Sequence, residues 1–177
     1  QTLDTGAQWR LYAKAPLGID PFPKGLYYED LASVYKIIHK VDSVAVVDCR
    51  ELYAYRMRSN SIIRQEYRHI KGESALIIAD QLYRDICNWY PDLSKAAASR
   101  CFSVCRMVFA QIPTKNNHSR QIQDEDSLWS VLSLHRKAVL RDREARPRER
   151  FAAFVAYFGK SAFSLFCCVA RGLGLLR

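Results

Sequence analysis

Acidic residues are in short supply in this chain. Its 177 residues carry 18 Asp and Glu against 27 Lys and Arg, a formal net charge of +9 with a pI near 9.4. The deficit favours an anionic partner: nucleic acid, a nucleotide or an acidic membrane surface. Catalytic signatures are missing too. There is no P-loop, no Gly-rich dinucleotide motif and no Ser-His-Asp order, so the familiar nucleotide-binding and triad readings have no sequence support. No Cys-x-x-Cys pair occurs among Cys49, Cys87, Cys101, Cys105, Cys167 and Cys168. Cys101 and Cys105 share a helical face, but no second ligand pair follows, and His39, His69, His118 and His135 are scattered. Structural zinc and a dense disulfide framework are both disfavoured, and reduced, mostly buried thiols are expected. Cys101 to Arg106 has a sulfur-transfer spacing, but it lacks the glycines that curl backbone N–H groups around a thiolate. No internal repeat, low-complexity tract or signal peptide is visible. The first residue is Gln1, so a preceding piece is expected.

What is present suits one domain of ordinary size. The hydrophobic fraction of 49% argues against disorder. The most informative tract runs from Tyr67 to Leu82. Ser61–Ile70 reads as a strand rich in β-branched and aromatic residues with basic interruptions. Gly72 permits a turn, and from Ser74 the apolar residues Leu76, Ile77, Ala79, Leu82, Ile86 and Trp89 repeat at helical spacing. A strand–turn–helix junction aims backbone N–H groups at a phosphate.

Elsewhere, Trp9–Ala13 and Val44–Val47 read as strands, and Glu29–Lys40, Ser94–Ile112 and Asp126–Arg146 as helices. Pro147 opens a further helix, followed by a stretch from Phe151 to Ala170 with one charge, Lys160.

The tract Tyr67-Arg68-His69-Ile70-Lys71-Gly72-Glu73-Ser74-Ala75-Leu76-Ile77-Ile78-Ala79 resembles the ParB/sulfiredoxin motif, Tyr-x-x-Ile-x-Gly-Glu-Arg-Arg-x-x-Ala. Tyr67, Ile70, Gly72 and Glu73 match, and Ala79 matches with a shift of one. Ser74 and Ala75 replace the arginine pair. Within that superfamily, the size and basic charge look most like its plasmid fertility-inhibition members. The resemblance implies an α/β fold, a small mixed sheet with flanking helices over residues 1–112, with a C-terminal helical region over 113–177. It implies ATP hydrolysis and DNA cleavage with a divalent metal such as magnesium. The partners would be DNA and the coupling protein of a type IV secretion or conjugation system. The place would be the bacterial cytoplasm and the cytoplasmic face of the inner membrane.

Each candidate residue has a functional and a structural reading. Glu73 suits a metal ligand or catalytic carboxylate, or it merely favours a helix start. His69 suits general acid–base work, or it is a satisfied structural histidine. Arg64 and Arg68 share a strand face that binds phosphate or simply meets solvent. Lys71, Gly72 and Ser74 complete the nucleotide candidates. Arg50, Arg56 and Arg58 interleave with Tyr53 and Tyr55, a modest signal for single-stranded DNA that a hairpin explains almost as well.

In the tail, Lys160 at the centre is costly for spanning a bilayer. A core-packed or interfacial amphipathic helix is expected, with Lys160, Ser161, Ser164 and Arg171 on one side. Two function classes follow. One is an ATP-hydrolysing, DNA-cleaving inhibitor of conjugative transfer. The other is a non-enzymatic basic adaptor on the transfer machinery at the inner membrane.

Overall fold

A computed structural model describes residues 10–46, 54, 66–113 and 119–173. Every regular element among them is helical. The α/β expectation, with its ParB/sulfiredoxin-like mixed sheet, is therefore corrected: this is an all-α fold. Residues 10–13 and 44–46 have no regular structure, and Val44 and Val46 are exposed. A short apolar run becomes a strand only where a partner ladder exists, and none is present among the described residues.

The motif tract changes most. Residues 66–68 have no regular structure, and helix begins at His69, so Gly72 lies in the first turn of a helix and makes no strand–helix turn. The buried positions explain why. Lys71, Ser74, Ala75, Ile78, Ala79 and Leu82 repeat at three and four residues. This inward stripe starts before the glycine, at a spacing only a helix satisfies.

The chain divides into two compact units, Gln1–Glu66 and Tyr67–Arg177. The first holds α1 (Lys14–Leu17) and α2 (Glu29–His39). Glu29 and Asp30 open α2, and Lys36 and His39 lie in its last turn, matching the two ends of the helix dipole. Leu31, Val34 and Ile37 form its buried face.

The second unit contains α3 (His69–Trp89), α4 (Ser94–Phe109), α5 (Ser119–Arg141), α6 (Pro147–Val155) and α7 (Lys160–Gly172). One 3-10 turn, Pro91–Leu93, joins α3 to α4, and another, Ala156–Phe158, follows α6. Helix α4 is central, packed on both α3 and α5. Its Cys101, Phe102, Cys105 and Val108 are fully enclosed. Phe163 of α7 enters the same core, with ring centroids 5.4 Å from Phe109, 5.6 Å from Trp129 and 6.3 Å from Phe102. Four aromatic rings at that spacing dominate local burial. The tail is two elements, because Gly159 adopts φ +95° between the 3-10 turn and α7, a conformation that suits glycine. Among the described residues, no helix is long and apolar enough to cross a membrane.

Candidate functional site

The start of α3 gathers several of the residues singled out in sequence. Tyr67 Oη donates to Asp124 Oδ2 at 2.6 Å, and His69 Nδ1 lies 2.8 and 2.9 Å from the two carboxylate oxygens. Asp124, on α5, is only 4% exposed. Gly72 is required by closeness rather than by a turn. A Cβ there would stand 2.6 Å from Tyr67 Oη and 3.5 Å from Asp124 Cγ. An internal carboxylate thus sits beside the opening turn of α3, where helix geometry favours negative charge.

Lys71 turns inward and is 1% exposed, with its ammonium donating to Gln111 Oε1 at 3.2 Å. Burial lowers its pKa from the ordinary lysine value, and the nearby Arg68 charge lowers it further. Ser74 is enclosed, whereas Glu73 and Arg68 are exposed. Glu73 sits one position beyond the first turn. The predicted Arg50, Tyr53, Tyr55, Arg56, Arg58 and Arg64 lie outside the described residues.

Chemically, this arrangement orients His69. A carboxylate on Nδ1 fixes the tautomer and leaves Nε2 as the second ring nitrogen, on a side chain that is half exposed. No group of three His, Cys, Asp or Glu side chains suited to a metal occurs among the described residues. With Lys71 and Ser74 buried and a carboxylate against Gly72, the described groups fit an internal anion better than a nucleotide phosphate.

A second site lies where α5 turns into α6. Lys137, Arg141, Arg143, Arg146, Arg148 and Arg150 are all exposed within residues 137–150. The acids of that stretch behave differently. Glu149 is buried and takes two hydrogen bonds from Arg106 of α4, Nε to Oε2 at 2.7 Å and Nη2 to Oε1 at 2.8 Å. Ser103 Oγ also donates to Glu149 Oε1, at 3.2 Å. Asp142 accepts from Ser99 Oγ at 3.1 Å and from the Glu144 backbone N–H at 3.1 Å. Two of the three acids are therefore held by side chains of α4, leaving Glu144 exposed among six exposed cations. Sequence reading sees only a mixed charge run. The readable signal was Glu149, two residues into a helix begun by Pro147 and followed by Ala152, Ala153 and Ala156 on the same buried face.

Beside this corner the surface is apolar. Phe151, Phe154 and Phe158 are exposed at i, i+3, i+7, and Leu165, Val169 and Leu173 at i, i+4, i+8. Phe151 reaches Phe166 of α7, with ring centroids 5.7 Å apart, and Phe154 lies 5.3 Å from Phe158. The expected polar side of the tail is partly consumed in structure. Lys160 pairs with Asp126 at 2.5 Å, and Arg171 Nη1 donates to the Ala110 carbonyl at 3.1 Å.

Comparisons with family models, with curated proteins and with solved structures find no match.

Proposed function

We propose that the chain is a non-enzymatic basic adaptor whose α5–α6 corner docks on a phosphate-bearing surface. One observation carries this reading: Glu149 and Asp142 are turned into α4, and the corner's six cations are left exposed, Arg148 Nε also lying 3.4 Å from Glu149 Oε1. Arginine recognises phosphate oxygens through its fork of N–H donors. Clustering cations adds to affinity with each phosphate neutralised. The polar groups at the α3 start are engaged with one another, which suits a structural lock. The DNA-transfer machinery on the cytoplasmic face of the inner membrane is the setting the sequence resemblance implies. DNA and anionic headgroups both present phosphates there.

The test is retention on a phosphate-bearing cation exchanger. Replacing Arg143, Arg146, Arg148 and Arg150 by Gln is expected to lower the eluting salt concentration sharply. Replacing the dispersed, exposed Arg68, Arg84, Lys95 and Arg120 by Gln removes the same formal charge with a much smaller effect. Equal losses in the two variants would reduce the corner to nonspecific basicity and overturn the proposal. Conjugation frequency from cells expressing each variant then shows whether the corner acts on DNA transfer.

A further inference from the structure

We propose that the apolar surface of α6 and α7 is an interfacial membrane-insertion face, and that the phosphates met by the α5–α6 corner are lipid headgroups. This rests on the adaptor reading and names the partner of the same corner.

Three features point to a bilayer. First, the apolar residues form stripes on two successive helices. Helix α7 already commits one face to the core through Phe163, Cys167 and Ala170. Leu165, Val169 and Leu173 fall on the opposite side, with Leu165 66% and Leu173 68% exposed. Core packing explains the first face and leaves the second without a role inside the unit, and contiguous exposed apolar surface marks interaction sites.

Second, cations flank the apolar stripe on α6 itself. Arg146 and Arg150 lie one turn apart, and Phe151, Phe154 and Phe158 continue from them along the helix and its 3-10 turn. Long arginine stems reach headgroups while neighbouring rings sink below them. An acidic protein groove would complement the charge. It would have to supply a broad apolar floor too, whereas an anionic bilayer offers both layers everywhere.

Third, the lengths suit lying on the membrane. Helix α7 has 13 residues, and none of the described helices is fit to span. At 1.5 Å per residue, α7 measures about 20 Å, short of a bilayer core of about 30 Å. A helix of this kind rests in the interface with its apolar side at the headgroup–acyl boundary.

The experiment uses the full chain with vesicles of phosphatidylglycerol and phosphatidylethanolamine, compared with phosphatidylcholine alone. Flotation is expected with the anionic vesicles and little with the zwitterionic ones. Each arginine near an anionic leaflet contributes about fivefold in partitioning. The Phe151→Ser, Phe154→Ser, Phe158→Ser triple variant should lose at least about tenfold. A Leu165→Ser, Val169→Ser variant on the other helix should weaken binding in the same sense. A Phe154→Trp variant should show added quenching by brominated acyl chains.

If the Phe and Leu/Val variants float like the unsubstituted chain while the arginine-corner variant does not, insertion is overturned and the phosphate-docking corner stands. If no form binds anionic vesicles, the lipid assignment falls, and retention on the phosphate resin judges the corner separately. A marked drop in Tm of both serine variants would place this face against the chain itself and also overturn insertion.

Discussion

Arg106 and Glu149 meet as a two-point ion pair between α4 and α6, with the side chains only 7% and 3% exposed. The pair is the hinge between the core and the basic corner. Glu149 follows Arg148 and precedes Arg150, so holding its carboxylate inward fixes which way α6 presents its cations.

Breaking that pair from one side should be costly. Arg106→Met leaves a buried carboxylate with Ser103 Oγ and, at 3.4 Å, the half-exposed Arg148 as its partners. Removing one partner of a buried pair costs about 3–5 kcal/mol, and Arg148 beside the carboxylate offsets part of that. Replacing both residues, Arg106→Met with Glu149→Leu, removes both desolvation penalties and should return most of that loss. Urea denaturation of the two singles and the double decides it. Additive losses in the double would show that the pair is not coupled.

His135 sets an acid-side slope. It is buried on α5 against Tyr83, with ring centroids 4.8 Å apart. Burial lowers its pKa below the ordinary 6.5. Between the lowered value and 6.5 the unfolded chain holds more protons than the native one, so stability rises with pH through that window. This contribution is complete above 6.5 and disappears as the pH falls through the native pKa. His135→Phe keeps a ring and should flatten the slope. Thermal unfolding across that range, compared between the two proteins, measures the difference. Parallel curves would exclude His135 as its source.

The helices were largely legible in the sequence. Glu29–Lys40 was expected and Glu29–His39 is observed, because its apolar period and dipole-matched ends agree. The start at Pro147 was also readable. The α/β fold was misread for a physical reason. Ile, Val and Tyr fit both a strand and a packed helix, and only the partner decides. At Gly72 the turn reading competed with close packing. A glycine in sequence does not reveal that a tyrosine 5 residues earlier fills its Cβ space. Asp124, 55 residues from His69, carried no local signal at all.

The thiols should separate by environment. Cys101, Cys105 and Cys167 are buried, while Cys87 and Cys168 are partly accessible. Burial pushes Cys101 and Cys167 up to about 12 and raises Cys105 as well. The Cys101 thiol also donates to the Ala79 carbonyl at 3.1 Å. Thiolate is the reactive form, so alkylation at a pH of about 8 should reach Cys87 and Cys168 before Cys101, Cys105 and Cys167. The three buried thiols should react only with global unfolding. Mass spectrometry of alkylated native protein reads this directly, and early labelling of Cys105 would contradict the enclosed α4 core.

Gly72 and Tyr67 should be coupled. In an ordinary helix, Gly→Ala gains about 1 kcal/mol. Here the new methyl meets Tyr67 Oη at 2.6 Å, well inside contact distance. The ring must shift, and its 2.6 Å hydrogen bond to buried Asp124 lengthens or breaks. Overpacking of this kind costs about 1–3 kcal/mol, so Gly72→Ala should be net destabilising despite the helical gain. Tyr67→Phe removes the blocking oxygen and one hydrogen bond, with a modest loss of about 1 kcal/mol. In that background Gly72→Ala should become neutral or stabilising, because only the helical gain remains. Denaturant midpoints of the four proteins complete the cycle. A Gly72→Ala effect of the same size and sign in both backgrounds would show that Tyr67 is not what reserves this position for glycine.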